Sequence, residues 1–262
     1  MEVEKVILWL DILGFKEFLL DEERSFREWP KIERQILKNL KSLSKYMKEH
    51  GVKIDFFIIS DTLIVYAEEL NSSSIICILL ASILLQSSFH SFGFLSRGVV
   101  TVGKILVSRR GSKINTIIGY PIVEAALYES SMDFPLVVLG PSLVEKIFSV
   151  PELLNGSLTS LPSPFNTWSP KDLMLAVNVN FRSMGDGNTA VVFHPEFYAL
   201  SLNSYLDQFL RNICTGCISS ESTFSAINKL EKLLLIVEKL STLDSFKYLE
   251  NTLSALKEII SK

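Results

Sequence analysis

Cysteine and histidine are scarce in this chain, three of each among 262 residues, and that scarcity removes several kinds of chemistry. A structural zinc site takes four ligands. Cys214-Thr-Gly-Cys217 has CxxC spacing, but no second pair and no nearby downstream histidine accompany it. It reads as two small residues at the end of a helix. Cys77 lies inside an apolar run and reads as core, so no disulfide framework is expected. His50, His90 and His194 are isolated, without a partner at metal or triad spacing. Basic charge is thin as well: 26 Lys and Arg against 29 Asp and Glu give a net charge of -3 and a pI near 5.7. An extended phosphate-backbone interface needs a basic surface, so no nucleic-acid partner is expected. The longest apolar run, Ile75 to Leu85, is about half the length of a membrane-spanning helix and is flanked by serines, which favours a buried helix. Glu2 and Glu4 stand where a secretory signal would begin, so a cytoplasmic protein without a membrane partner is expected.

What is present is apolar material, 48% of the residues, with a mean hydropathy of +0.30. That is ample for a sizeable core. Lys5 to Ile12 reads as a strand ended by Gly14, and residues 16 to 50 read as helix with a break near Trp29-Pro30. Ile54 to Ile59 and Leu63 to Ala67 read as a hairpin with Asp61 at its tip. A buried helix over 71 to 92, a strand from Leu95 to Ser108, a helix from Gly119 to Ser131 and a strand from Pro135 to Leu139 follow. This order predicts an α+β fold: a ferredoxin-like βαββαβ sheet with helices on one face. Prolines punctuate 140 to 195, where Leu173 to Val179 and Ala190 to Phe193 read as strands joined by a turn at Met184 to Asn188. Residues 198 to 214, 221 to 241 and 243 to 261 read as helices, with Leu230, Leu233, Leu234, Val237 and Leu240 on one seam. The expected division is an α/β domain over 1–195 and a C-terminal helical extension over 196–262.

Two apolar segments each carry one aspartate: Val6-Ile-Leu-Trp-Leu-Asp11-Ile-Leu-Gly14-Phe15 and Phe56-Phe-Ile-Ile-Ser60-Asp61-Thr-Leu-Ile-Val65. A carboxylate in such a setting is costly unless something compensates it. A ferredoxin-like sheet brings the end of its first strand beside the hairpin, so Asp11 and Asp61 converge. Two carboxylates suit a hard cation, Mg2+ or Mn2+, which also takes substrate phosphates as ligands. Each aspartate alone could equally accept backbone hydrogen bonds at a strand end or a turn. The one basic cluster, Arg109-Arg110-Gly-Ser-Lys113, reads as a solvated turn or as a contact for a triphosphate.

Leu10-Asp11-Ile12-Leu13-Gly14-Phe15 resembles the opening metal motif of class III nucleotidyl cyclases, the adenylate and guanylate cyclases. Ser60-Asp61 is similar to the family's second metal aspartate. Arg97-Gly-Val-Val-Thr-Val-Gly103 resembles the next element, and Gly119-Tyr-Pro-Ile-Val-Glu-Ala125-Ala126-Leu-Tyr-Glu129-Ser130 resembles the helix after it. The likeness spans residues 5 to 140, about half of the chain. It implies a cyclase/palm-type core and metal-dependent attack of a ribose 3′-hydroxyl on the α-phosphate, yielding a cyclic nucleotide and pyrophosphate within a homodimer. Asp11 and Asp61 would be the catalytic, metal-holding residues, with the Ile12 carbonyl as a further ligand. The amides near Gly14 and Phe15 would hold the triphosphate, Phe57 and Thr116 stand at the base-reading positions, and Arg97 would meet the nucleotide.

The chain also departs from the family. Val123 stands where an asparagine orients the ribose, and Leu127 where an arginine stabilises the transition state. Losing such a charge clamp commonly costs orders of magnitude in rate. A divergent prokaryotic branch, which includes pyrimidine cyclases of antiviral (antiphage) defence, resembles the chain more closely. In that branch Arg97 or Arg109/Arg110 would supply the positive charge. Two readings therefore stand: a nucleotidyl cyclase acting on a nucleoside triphosphate, and a cyclase-like module that binds nucleotide or dimerises without turnover. Phosphoryl transfer on nucleic acid, a third, is weakened by the acidic pI.

Overall fold

The computed structural model describes residues 3–49, 51–110, 113–132, 134–154, 173–181, 185–192, 195–214, 220–238 and 244–260. Strand β1 (Glu4–Leu13) is followed by the short helix α1 (Phe15–Leu20) and the long helix α2 (Glu22–Glu49). The hairpin of β2 (Ile54–Ile59) and β3 (Thr62–Ala67) leads to α3 (Ser72–Ser91) and β4 (Leu95–Lys104). These elements form the expected βαββαβ unit, with strand order β2-β3-β1-β4 and antiparallel pairing throughout. The chain continues through β5 (Leu106–Arg110), β6 (Lys113–Ile118), α4 (Tyr120–Ser131), β7 (Val137–Leu139) and α5 (Pro141–Ser149). Then come β8 (Met174–Phe181), β9 (Gly185–Val192), α6 (Pro195–Cys214), α7 (Ser220–Glu238) and α8 (Asp244–Ile260). β7 extends the sheet parallel to β4, and β9 and β8 complete seven strands, while β5 and β6 pair only with each other.

The side-chain period of two sorts β1 onto two faces. Leu8, Leu10 and Ile12 face a core shared with Ile32, Ile36, Leu40 and Met47 of α2 and with α3. α3 alone among the described helices is long and apolar enough to cross a membrane, yet it is buried within the protein, the place of a core helix. The Asn71 side chain caps it by accepting from the Ser74 N–H at 2.9 Å. On the other face Ile7, Ile64 and Tyr66 lie under Ile105, which links β4 to β5, and under Val107 and Ile117 of the β5–β6 hairpin. Further along that face, Leu95 and Val99 pack with Ala125 of α4 and with Tyr198, Leu202, Leu206 and Phe209 of α6.

Several expectations change. The helical break falls at Asp21 rather than at Trp29-Pro30: Pro30 lies inside α2. Its missing N–H removes one hydrogen bond from the helix without ending it. The single strand expected over 95 to 108 is two, β4 and β5, parted at Ile105 beyond positive-φ Gly103. Residues 185 to 188 open β9 instead of forming a turn, and α5, not assigned from the sequence, lies in the proline-punctuated stretch. Helices do not keep to one face, because α4 packs on the side opposite α3. Of the seam in the last helices, Leu230 and Leu234 are buried, while the side chains of Leu233, Val237 and Leu240 lie outside the described residues. So do Cys217, His50 and His194.

Candidate active site

Asp11 sits near the end of β1, paired with Thr62 of β3 on one side and with Arg97 of β4 on the other. Asp61 occupies the two-residue turn between β2 and β3, where Ser60 adopts a φ of 54°. The Ile12 N–H donates to the Asp61 carbonyl at 3.0 Å, which ties the turn to β1. The two aspartates, fifty positions apart, thus meet at one end of the sheet. The Ile12 side chain points the other way, into the core. Gly98 of β4 lets the strands approach: a Cβ there would come within 2.3 Å of the Trp9 carbonyl.

A third carboxylate joins them. Glu129 of α4 lies close enough that its charge, with that of Asp61, acts on Asp11. Burial, then Glu129, then Asp61 push the Asp11 carboxyl up to about 7, against the opposing pull of Arg97. Arg97 forms an ion pair with Glu129, its Nη1 donates to the Met132 carbonyl at 2.6 Å, and its Nε lies 3.8 Å from Asp11 Oδ2. Sequence reasoning did not nominate Glu129. The signal was available: Ala125 and Glu129 are four residues apart and share a helix face, and Ala125 is buried against the sheet.

Gly14 follows β1 with a φ of 79°, and its carbonyl accepts from the Phe18 N–H at 3.1 Å to start α1. The Phe15 ring is core, edge-on to Trp29 at 4.6 Å, so the ring is not free to meet a ligand. Phe57 and Thr116 stand apart from this cluster. Phe57 packs with Ile7, Ile64 and Tyr66 beneath the hairpin, and Thr116 pairs with Ser108 within it. Arg109 is engaged too, in an ion pair with Asp55 and donating to the Tyr66 hydroxyl at 2.8 Å. Val123 and Leu127 are 54% and 58% exposed on the outer face of α4.

Among the described residues no three His, Cys, Asp or Glu side chains are arranged to hold one metal ion. A cation here would rest on two carboxylates and complete its shell from main chain, water or substrate, as Mg2+ and Mn2+ commonly do. The donors are hard oxygens, and three carboxylates with one guanidinium leave negative charge uncompensated. The residues fit such an ion.

No protein-family model matches the chain, and no curated protein matches it. Solved structures do. The guanylate cyclase domain of RhGC from Catenaria anguillulae, in complex with GTP, is similar with a TM-score of 0.50 at 12% identity, over 74% of this chain and 97% of that one. The non-canonical dimeric guanylyl cyclase domain of the RhoGC fusion protein from Blastocladiella emersonii gives 0.48 at 13% identity, over 74% and 97%. At such identity the likeness speaks for architecture. The fold of this chain is that of a class III nucleotidyl cyclase domain.

Proposed function

We propose that the chain is a metal-dependent nucleotidyl cyclase of divergent class III type, converting a nucleoside triphosphate to a 3′,5′-cyclic nucleotide and pyrophosphate. The observation that carries this reading is the meeting of Asp11 and Asp61 at one sheet end beside Arg97, on a cyclase fold. Asp11 and Asp61 would hold Mg2+ or Mn2+, with the Ile12 carbonyl beside them. When bound, the cation supplies Lewis acidity at the α-phosphate and orients the 3′-oxygen. Arg97 places a guanidinium edge where phosphate charge develops, and the backbone at Gly14 and Phe15 borders the same space. Phe57 and Thr116 would meet the base.

A homodimer accompanies the reading. Tyr120, Val123 and Leu127 follow helical spacing on α4 and are exposed, and the paired Leu106 and Ile118 add to them. Exposed apolar residues grouped in this way mark an interaction face, and a second copy is the proposed partner.

The test is incubation with ATP, GTP, CTP or UTP and Mn2+, with detection of pyrophosphate and cyclic product and Asp61→Ala as control. Product lost in the control supports the enzyme. Val123 and Leu127 favour the other reading, a cyclase-fold module that binds nucleotide or dimerises without turnover. Metal-dependent nucleotide binding without product from any of the four would establish that one.

A further inference from the structure

Arg97 is held at two points and leaves a third unspent. Its Nη1 donates to the Met132 carbonyl at 2.6 Å, just beyond the end of α4, and its other terminal nitrogen pairs with Glu129 on α4. Two contacts fix the plane of a guanidinium. Its Nε is buried, 3.8 Å from Asp11 Oδ2, and has no hydrogen-bond partner. A buried donor without a partner is costly, and a ligand oxygen placed there would satisfy it. Glu129 itself is largely shielded, its side chain 12% exposed, so its charge acts strongly on whatever it touches.

We propose that Glu129 is a positioning residue for Arg97, holding the guanidinium toward α4 so that it faces an incoming triphosphate rather than collapsing onto Asp11. The assignment rests on the cyclase reading above. Asp11 is the carboxylate nearest to Arg97 after Glu129. Without the Glu129 charge, Arg97 pairs with Asp11 and competes there with the cation. The same helix therefore plays two parts. Its outer face carries Val123 and Leu127, which offer the nucleotide no polar group, while its inner face sends Glu129 into its own subunit's site to orient a cation-bearing side chain from β4. The positive charge that Leu127 does not provide comes in this way from within the chain, and the counter-charge that directs it lies two residues further along.

Isothermal titration of the full chain with Mn2+ alone, and with inorganic tripolyphosphate in the presence of Mn2+, tests this on wild type, Glu129→Gln, Arg97→Ala and the double variant. Both single variants should weaken tripolyphosphate binding by about tenfold, and the double variant should be no weaker than Arg97→Ala within about twofold, the non-additivity of two residues acting as one unit. Glu129→Gln should also bind Mn2+ more weakly, whereas Arg97→Ala should bind it at least as tightly as wild type. A merely structural Glu129 would lower the melting temperature without producing this opposite pair of Mn2+ effects. Where Arg97→Ala does not fold, Arg97→Gln replaces it, since an amide removes the charge while keeping a polar side chain of similar reach. Additive losses, or wild-type tripolyphosphate binding by Glu129→Gln, overturn the assignment alone. A wild type that binds no tripolyphosphate with Mn2+ overturns the cyclase-type reading, and the assignment falls with it.

Discussion

Arg109 of β5 reaches across to Asp55 of β2 in an ion pair, and the same guanidinium donates to the Tyr66 hydroxyl of β3 at 2.8 Å. β5 and β6 hydrogen-bond to no other strand, so this latch and the contacts of Val107 and Ile117 with Phe57, Ile64 and Tyr66 fasten the hairpin to the sheet. Arg109 and Asp55 keep about a third of their side-chain surface exposed, and an ion pair so placed adds little to global stability, roughly 0–1 kcal/mol. Its effect should be local. Arg109→Ala is expected to leave the denaturation midpoint nearly unchanged while amide exchange in β5 and β6 accelerates by up to about fivefold. Unchanged exchange would mean that apolar packing alone seats the hairpin.

His90 gives a pH dependence with a definite sign. Ser201 Oγ donates to the Tyr198 carbonyl at 2.9 Å and lies 2.8 Å from His90 Nδ1, so the network assigns the proton to Nδ1, which donates to Ser201. Nε2 is then a bare acceptor in the core with no partner. Burial lowers the imidazole from 6.5 to about 3. The folded state thus refuses a proton that the unfolded chain accepts below pH 6.5. Stability from this residue is complete above that value and is lost as pH falls toward 3, at about 1.4 kcal/mol per unit. Urea denaturation at pH 7 and pH 5 should show the stability of wild type relative to His90→Gln falling by about 2 kcal/mol between the two pH values. Equal slopes for the two proteins would sink the assignment.

The sheet was legible because its signals are local. Continuous apolar runs bounded by Gly14 and Gly51, and an all-round apolar helix, fix element type without reference to partners. The helical break departs from expectation because proline marks a helix boundary most often in the first turn, whereas α2 carries Pro30 in its interior. The site was legible only as far as charge in apolar surroundings is conspicuous. Asp11 and Asp61 stand out for that reason. Glu129 does not, since it lies on an amphipathic helix where an acid reads as a solvated face. Only the packing of Ala125 against Val99 turns it inward. The burial of Phe57 depends on a hairpin whose second strand, β6, carries Lys113 and Thr116 and lacks the apolar run by which the other strands were read.

Asp11 carries the clearest conflict between stability and site. Its folded-state value near 7 lies above the ordinary 3.8, so between those values the folded protein keeps a proton that the unfolded chain has lost. Stability from this residue is therefore complete below about 3.8, falls as pH rises through 7 and stays low above. Asp11→Asn removes the penalty. In EDTA at pH 8 the variant should exceed wild type by ~1–3 kcal/mol, and at pH 4 the two should nearly coincide. Because His90 acts in the opposite sense, each effect is read as variant minus wild type. A variant less stable than wild type at pH 8 would show that the carboxylate is already compensated by Arg97. Added Mn2+ should reverse the order by stabilising wild type alone, through linkage to a ligand that binds the folded state.

The exposed row on α4 leads to the last prediction. Tyr120, Val123 and Leu127 lie at spacings of three and four, so they form one stripe, and Tyr120 is 72% exposed at its N-terminal end. Leu106 and Ile118, directly paired across the hairpin, are 66% and 60% exposed. If this stripe meets its counterpart in a second copy, a twofold interface sets Leu127 against apolar surface. A carboxylate there would be buried without a partner on both sides of the contact. Leu127→Glu should therefore raise the dimer dissociation constant by at least about a hundredfold, a loss of roughly 3 kcal/mol. Sedimentation velocity across a concentration series reads that shift. Position 127 faces solvent within one copy, so the melting temperature of the dilute monomer should stay within a few degrees of wild type. A chain that sediments as a monomer before substitution would leave α4 without this partner, and a Leu127→Glu dimer as tight as wild type would place the contact elsewhere.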